Sequence, residues 1–384
     1  MRNRWWPRGQ ASALPILRIT LGCTLLAASA GALAAPTIQK VSGPMDHNGT
    51  ITISGAGFGS KAKAAPWVWD NATAVKITDN WGGVWPDAIP GFNMGYYPTV
   101  RGVQPPHSHD TRLIAGAHAN NTGANSGYAV IMFKTLTVPS FPANFYASWY
   151  QVADTSWHFG GDNNWKIFDY SLGENPYADN LSWYTCYGPP HPGTNTDTGA
   201  QWTIETGTPL HNPDANGHNA WWGAAVNPMA GKWSKIEMAF KATTQNDGYV
   251  TVWENGRQVL NYHGPTDTYP GNVRTLGVGG YARMQGYPTN WRYYDDVYVD
   301  TTLARLVLAD KPVLSQASII EVQIPSSWSD GSITATVNLG KFSQGQSAYL
   351  FVVDSSGTPS SAGFAVAAGG TAAAPSAPSA FQVN

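Results

Sequence analysis

Alternating hydrophobic and polar residues run through most of the chain and predict β-strands rather than helices. Residues 50–54, 235–241 and 249–253 alternate in this way. A period of two places successive side chains on opposite faces of a strand. Further runs of the same kind cover residues 145–152, 165–170, 181–187, 276–283, 293–300, 333–339 and 348–353. Many short strands separated by turn residues favour an all-β sandwich.

Turn and loop residues separate these runs. The sequence Gln245-Asn246-Asp247-Gly248 predicts a hairpin turn, and Asn255-Gly256 predicts a second tight reversal. Residues 80–125 and 188–230 are rich in Asn, Gly, Pro, Trp and His, and they are predicted to form long loops. Long loops within a domain frequently carry function.

The first residues have the pattern of a secretory signal peptide. Arg2, Arg4 and Arg8 precede a short apolar run, residues 19–34, that ends in small residues. We therefore expect residues 1–34 to be removed and the protein to be secreted, to the periplasm or the extracellular space. The run is too short for a permanent membrane span, and no other stretch is long enough, so we expect no membrane span. Residues 369–384, rich in Ala, Gly, Pro and Ser, are predicted to be a disordered tail.

Charge and cysteine content exclude some functions. Without residues 1–34, 18 Lys and Arg remain against 24 Asp and Glu, a net charge of −6. Nucleic-acid-binding proteins carry a basic surplus, so we expect no nucleic-acid partner. Cys186 would be the only remaining cysteine, which excludes an intrachain disulfide. We expect a monomer that requires no cofactor.

Residues near both ends resemble one small domain. Val41-Ser42-Gly43, residues 51–55 and Gly57-Phe58-Gly59 are similar to the opening of an IPT/TIG domain, an immunoglobulin-like fold. Residues 328–337 and 349–354 resemble the later strands of such a module. The resemblance implies a domain split into residues 35–66 and 312–368 by an insertion, residues 67–311. Two independent β-units are the alternative.

The inserted region resembles the concanavalin A-like superfold. Residues 233–241, 248–257 and 293–300 are similar to strands of heparin lyase I-like and glucuronan lyase-like polysaccharide lyases. The two resemblances together imply an all-β chain, with a concanavalin A-like jelly-roll sandwich and a small immunoglobulin-like β-sandwich. This superfold hosts lectins, hydrolases and lyases, so the resemblance alone does not decide the activity.

The acidic residues disfavour glycoside hydrolysis. Hydrolases need two carboxylates across the scissile bond, and glucanases of this superfold carry them in a Glu-x-Asp-x-x-Glu motif. That motif is absent, and the glutamates at positions 174, 205, 237, 254 and 321 are isolated in the sequence. Elimination from a uronate instead needs a base such as Tyr or His and a cation that holds the carboxylate.

Two segments carry candidate catalytic residues. Tyr281 and Arg283 are expected on one face of the strand 276–283, with a packed Tyr and a surface Arg as the alternative. His109 and Arg112, in the segment 106–112, could supply acid–base chemistry and carboxylate binding. That segment could instead hold a metal through its histidines and Asp110, or be a plain polar loop.

Aromatic and basic residues on predicted strands are candidate substrate-binding groups. Rings at a sheet face can stack on sugars, although about half of those in this chain are expected to fill the core. The predicted substrate-binding residues are Trp149, Tyr150, His158, Lys166, Trp183 and Tyr184.

The adjacent Asp295 and Asp296 are expected to point to opposite sheet faces, with Val297 and Val299 in the core. Members of the superfold often carry a structural calcium near the closing strand. The resemblance therefore implies Asp296 as a possible calcium ligand, with a solvated acidic edge as the alternative.

These features predict a secreted, polysaccharide-active protein. We expect an enzyme, a lyase that cleaves acidic, uronate-containing polysaccharide by β-elimination. The alternative is a non-catalytic carbohydrate-binding lectin or adhesion protein of the cell surface, and a structural envelope protein is a third hypothesis.

Overall fold

The computed structural model describes residues 34–73, 94–99, 101–119, 127–137, 142–153, 155, 164–171, 180–187, 200–206, 220–225, 231–266, 273–283 and 289–370. The predicted signal peptide, except Ala34, and the tail from residue 371 onward lie outside these ranges. Among the residues described, no helix is long and apolar enough to cross a membrane.

Strands make up almost all of the regular structure in these ranges. They are β1 (Thr37–Ser42), β2 (Thr50–Ala56), β3 (Val68–Asp70), β4 (Met94–Tyr97), β5 (Leu113–Ala119), β6 (Gly127–Thr137), β7 (Asn144–Ala153), β8 (Asn164–Ser171), β9 (Asn180–Tyr187), β10 (Ala200–Thr206), β11 (Ala220–Ala225), β12 (Ser234–Lys241), β13 (Tyr249–Glu254), β14 (Arg257–His263), β15 (Val273–Arg283), β16 (Thr289–Asp300), β17 (Arg305–Ala309), β18 (Ile320–Trp328), β19 (Ser332–Thr336), β20 (Ser347–Val353) and β21 (Phe364–Ala367). A single 3₁₀ turn, Leu314–Gln316, follows β17 in the described chain.

Three antiparallel sheets contain these strands. The seven-stranded sheet has the order β1-β2-β19-β18-β17-β20-β21, and the six-stranded sheet has the order β11-β10-β9-β8-β15-β6. The eight-stranded sheet has the order β14-β13-β12-β7-β16-β5-β4 along its main path, and β3 pairs with β16 beside it. The predicted all-β fold class is confirmed, with the sheets in a sandwich-like arrangement.

The seven-stranded sheet joins the two ends of the described chain. Strand β2 pairs with β19 in a register that sets Ile53 opposite Ile333. Nearby, the Gly59 amide donates a hydrogen bond to Asp330 Oδ1 at 2.9 Å. The split-domain hypothesis requires this pairing between distant segments. The immunoglobulin-like identity of the sheet and the domain boundaries stay predictions.

Strand β17 packs into two different cores. Leu306 and Leu308 join the core of the seven-stranded sheet, which also contains Ile51, Ile53 and Leu350. The residues between them point the other way because side chains alternate along a strand. Both faces of this strand are therefore buried from Leu306 to Ala309, and these four residues are all apolar rather than alternating.

The second core joins the seven-stranded sheet to the eight-stranded sheet. Tyr146 of β7 and Tyr298 of β16 cluster with Val307, Val322 and Phe351 of the seven-stranded sheet. The residues from Ala35 onward accordingly form one unit by their contacts.

The two adjacent aspartates of β16 interrupt the strand. The pairing of β16 with β7 shifts register between Asp295 and Tyr298, and Asp296 has a positive φ of 48°. An extra residue in one strand breaks the alternation and re-aims its side chain. Asp296 and Asp300 are 4% and 1% exposed, so the alternative of a solvated acidic edge is wrong.

Gly340 provides a test of the packing around Glu321. It has a positive φ of 49°, and a Cβ there would collide with the Glu321 carboxyl group. Gly345, in the same connection, has a φ of 78° with nothing near its Cβ position. We expect Gly345→Ala to cost about 1–2 kcal/mol from backbone strain alone. Gly340→Ala should cost roughly 2 kcal/mol more because it also overpacks a buried site. Denaturant unfolding of both variants measures the difference, and equal losses would contradict the described packing.

Candidate functional site

The six-stranded sheet carries five of the predicted site residues. Tyr281 of β15 pairs with Tyr128 of β6, and Arg283 of β15 pairs with Asn164 of β8. On the other side of β8, Lys166 pairs with Tyr184 of β9. Trp183 lies next to Tyr184 on β9 and pairs with Phe168. The backbone therefore brings Tyr281, Arg283, Lys166, Trp183 and Tyr184 onto three consecutive strands.

Two other predicted substrate-binding residues lie elsewhere. Trp149 and Tyr150 belong to β7 of the eight-stranded sheet, and they are 0% and 1% exposed. The indole Nε1 of Trp149 donates a hydrogen bond to Gln151 Oε1 at 3.0 Å. The stacking role predicted for these two rings is wrong in this structure, because β7 is covered on both faces. His158 lies outside the described residues.

The loop before β5 leads into a buried polar cluster. This cluster consists of His47, His107, His109, Asp110, Tyr150, Lys235, Asp295, Asp296, Glu321, Asn338 and Lys341. It lies where the seven-stranded and eight-stranded sheets meet. Of the predicted residues, it contains His109, Asp296 and Tyr150. Arg112, at the end of the same loop, is partly exposed.

The histidines form one side of the cluster. His107 Nε2 lies 3.4 Å from Asp296 Oδ2, and its ring meets the Tyr150 ring edge-on at 4.6 Å between centroids. The His109 ring lies between His107, at 5.5 Å, and His47, at 3.8 Å. Its Nε2 is 3.6 Å from Asp110 Oδ1.

Glu321 of β18 forms the other side. Lys235 Nζ of β12 makes an ion pair with Glu321 Oε2 at 2.7 Å, and the Tyr150 hydroxyl donates a hydrogen bond to Oε1. The backbone amide of Lys341 donates to the same Oε1 at 3.1 Å. Lys235 Nζ also donates to the carbonyl of Ile320. A buried carboxylate is stable only when it is paired and hydrogen-bonded in this way.

Burial and neighbouring charges set the protonation states. Burial alone would lower the pKa of His107, but the interaction with the Asp296 carboxylate raises it above the usual value. Burial would raise the pKa of Asp296, but His107 and the amide of Asn338 lower it. Burial and the charge of Asp296 raise the pKa of Asp110 to about 7. Burial and the neighbouring His47 and His107 lower the pKa of His109 to about 4.

The cluster can hold and share protons, but it is closed. The side chains of His107 and Asp110 are 0% and 1% exposed, whereas His109, at 18%, approaches the surface, as do His47 and Lys341 at the edge of the cluster. A polymer could not reach His107 or Asp110 without displacing the surrounding loop. His109 is part of this buried polar cluster, whereas Tyr281 and Arg283 belong to β15 of the six-stranded sheet.

The calcium predicted at Asp296 stays a prediction. Calcium takes six to eight oxygen ligands. Asp296 Oδ2 contacts His107 and accepts a hydrogen bond from Asn338 Nδ2 at 3.1 Å, whereas Asp296 Oδ1 is buried without a hydrogen-bond partner among the described residues. Within the described ranges, no group of three or more His, Cys, Asp or Glu side chains is arranged to hold a metal ion.

Sequence reasoning missed most of this cluster. Glu321 was judged isolated because its partners Tyr150 and Lys235 are 171 and 86 residues away. Asn338 and Lys341 carried no sequence signal, since each follows a strand as an ordinary turn residue. The visible indications were the segment with His107, His109 and Asp110 and the adjacent aspartates Asp295 and Asp296, but nothing in the sequence linked the two.

Comparisons with known proteins find only distant likenesses. No family model matches the chain, and no curated protein matches it. Among solved structures, an endo-β-1,4-glucuronan lyase from the fungus Trichoderma reesei is similar at 16% identity, with 57% of this chain and 92% of that chain covered and a TM-score of 0.41. The alginate lyase vAL-1 from Chlorella virus is similar at 11% identity, with 50% and 86% covered and a TM-score of 0.34. The carbohydrate recognition domain of Emp47p is similar at 10% identity, with 62% and 99% covered and a TM-score of 0.34. Similarities this distant assign no activity to the chain.

The ion pair between Lys235 and Glu321 provides a stability test. Lys235→Met should destabilise the protein by about 3–5 kcal/mol, because it leaves a buried carboxylate without its counter-ion. Lys241, at the other end of β12, pairs with Asp247 at the surface, and Lys241→Met should cost less than about 1 kcal/mol. Denaturant unfolding measures both free energies. Adding Glu321→Gln to Lys235→Met should recover part of the loss, and similar costs for the two Lys variants would contradict this assignment.

Asp110 provides a pH test. Its pKa is raised from 3.8 to about 7 in the folded state, so the fold favours the protonated form. The raised pKa of Asp110 contributes to the free energy of unfolding below about pH 3.8, and this contribution is lost as the pH rises towards 7. Asp110→Asn keeps a neutral group, so its stability relative to the wild type should rise across this window by roughly 1–3 kcal/mol.

Thermal or denaturant unfolding between pH 4 and 8 measures that difference. Asp247→Asn is the control, because Asp247 is exposed and its pKa is lowered by Lys241. Its difference from the wild type should stay flat above about pH 5. If the difference in stability between Asp110→Asn and the wild type does not change from pH 4 to 8, Asp110 is ionised over that whole range.

Proposed function

We propose that this chain is a secreted, polysaccharide-active protein that cleaves acidic, uronate-containing polysaccharide by β-elimination. The observation that carries the proposal is the strand order β9-β8-β15 in the six-stranded sheet. It groups a tyrosine, an arginine and a lysine, Tyr281, Arg283 and Lys166, with two aromatic residues on adjacent strands. These are the residue types that elimination from a uronate requires.

In the proposed reaction, Tyr281 removes the proton on C5, beside the uronate carboxylate. Arg283 neutralises that carboxylate while negative charge develops on it. The electron pair forms the C4–C5 double bond and the bond from C4 to the glycosidic oxygen breaks. A proton then passes to the leaving oxygen, so the products are an unsaturated uronate end and a free hydroxyl.

The remaining residues of these strands would hold the polymer. Lys166 provides a positive charge for the carboxylate of a neighbouring sugar, and its cross-strand partner Tyr184 provides a ring for stacking on a sugar face. His109 and Arg112 have no part in this proposal, because His109 packs in the buried polar cluster.

Tyr281→Phe tests the proposed base. We expect kcat to fall at least about 100-fold on the uronate polymer that the wild type cleaves, because the ring stays and only the proton acceptor is lost. Absorbance of the unsaturated product follows the reaction. Tyr349→Phe, on β20 of the seven-stranded sheet, is the matched control and should retain wild-type activity.

The outcomes separate the functional classes. No unsaturated product from polyglucuronate, alginate, pectate or glycosaminoglycans would reject the lyase proposal. Binding of such a polymer without product, lost in Tyr184→Ala, would favour the non-catalytic lectin. Full activity in Tyr281→Phe would reject the role of Tyr281 while leaving the activity intact.

A further inference from the structure

A cavity lies on the side of the eight-stranded sheet that faces the seven-stranded sheet. Its volume is 330 Å³, and it opens between the β13–β14 hairpin and the segment that follows β17. The lining includes Glu237, Trp253, Gln258, Arg305, Leu314 and Ile320. Small-ligand pockets measure about 300–1,000 Å³, so this cavity suits a single small ring rather than a polymer chain.

The hairpin turn fixes one wall of the cavity. Asn255 and Gly256 both have positive φ values, 50° and 76°, as a tight two-residue hairpin turn requires. A Cβ on Gly256 would come within 2.8 Å of the Ala317 carbonyl oxygen, so the turn lies directly against the opposite segment. The Asn255 amide donates to the Lys235 carbonyl at 2.8 Å, which anchors the turn to β12. The wall is therefore formed before any ligand arrives.

Two charged side chains of opposite sign line the cavity. The guanidinium of Arg305 stacks on the Tyr146 ring at 3.9 Å, and its Nη1 donates to the Leu303 carbonyl at 2.9 Å. Its Nε is buried and has no hydrogen-bond acceptor among the described residues. Glu237 accepts a hydrogen bond from the Tyr146 hydroxyl through Oε1 at 2.6 Å. A buried donor without an acceptor indicates a missing partner.

Trp253 provides an aromatic surface at the same place. Along β13 the buried residues alternate with half-exposed ones, and Trp253 belongs to the half-exposed set. The exposed amide of Gln258, on the neighbouring strand β14, adds both a donor and an acceptor at the rim. The cavity thus combines an aromatic ring with donors and acceptors on several sides.

We propose that this cavity binds a single neutral sugar residue, at a site separate from the six-stranded sheet. Sugar hydroxyls both donate and accept, so they can satisfy Arg305, Glu237 and Gln258 together. The C–H face of a pyranose ring can stack on Trp253. The charges of Arg305 and Glu237 offset each other, so an acidic sugar would add an unbalanced carboxylate beside Glu237 and the pocket favours neutral rings. The site does not depend on the lyase proposal, because binding here needs no bond cleavage.

Binding of methyl glycosides tests the proposal. The probes are the methyl glycosides of glucose, galactose and mannose, with glucuronic acid for comparison, measured by calorimetry and ligand-detected NMR on the full chain. We expect at least one neutral glycoside to bind and glucuronic acid to bind more weakly. Trp253→Ala should weaken the neutral glycoside at least about tenfold, the size of one aromatic contact. Gln258→Ala, at an exposed position, should also weaken it without disturbing the fold.

Tyr249→Ala is the matched control. Tyr249 is the other aromatic residue on the half-exposed face of β13, and it contacts His263 instead of the cavity. This variant should bind like the wild type. No binding of any neutral glycoside, equal binding by Trp253→Ala, or a preference for glucuronic acid would overturn the proposal. Activity on uronate polymers, measured on the same variants, is independent of each of these outcomes.

Discussion

The carboxylate of Glu321 is a buried negative charge, and its stabilising partners are present only when the two sheets are packed against each other. It belongs to the seven-stranded sheet, while its counter-ion Lys235 and its hydroxyl donor Tyr150 belong to the eight-stranded sheet. A carboxylate removed from water without such partners would be strongly destabilising. The polar contacts therefore fix how the two sheets meet, whereas the apolar contacts around Tyr146 and Phe351 provide the buried area. The adjoining cavity exists because the sheets meet in this position.

The strands with clear alternation were predictable, because alternation depends on near neighbours along the chain. The prediction of long loops at 80–125 and 188–230 was wrong in part, since β4 and β5 lie in the first segment and β10 and β11 in the second. The strand predicted at 249–253 is Tyr249–Glu254, and the one predicted at 235–241 is Ser234–Lys241. The prediction of burial failed where a strand is covered on both faces. One face of β7 was expected to be exposed to solvent, so Trp149 and Tyr150 were assigned to sugar binding. Both faces of that strand are buried.

The candidate sites were predictable only where one strand carries them. Tyr281 and Arg283 are two residues apart, so the sequence alone could group them. The buried polar cluster draws its residues from positions 47 to 341, and no local pattern links them. The bulge at Asp296 was equally hidden, because a register shift depends on the partner strand and not on the strand's own sequence.

The pairing of β2 with β19 has a consequence for biogenesis. Ile53 and Ile333 face each other across this pair, although almost the whole described chain lies between them in sequence. Contacts between such distant residues give a high contact order, which slows folding. During synthesis from the amino terminus, β1 and β2 can form a hairpin early, but one edge of β2 has no partner until β19 has emerged. An open strand edge is a site for wrong pairing between chains. The hairpin of β1 and β2 is thus exposed to wrong pairing until the rest of the seven-stranded sheet has been made.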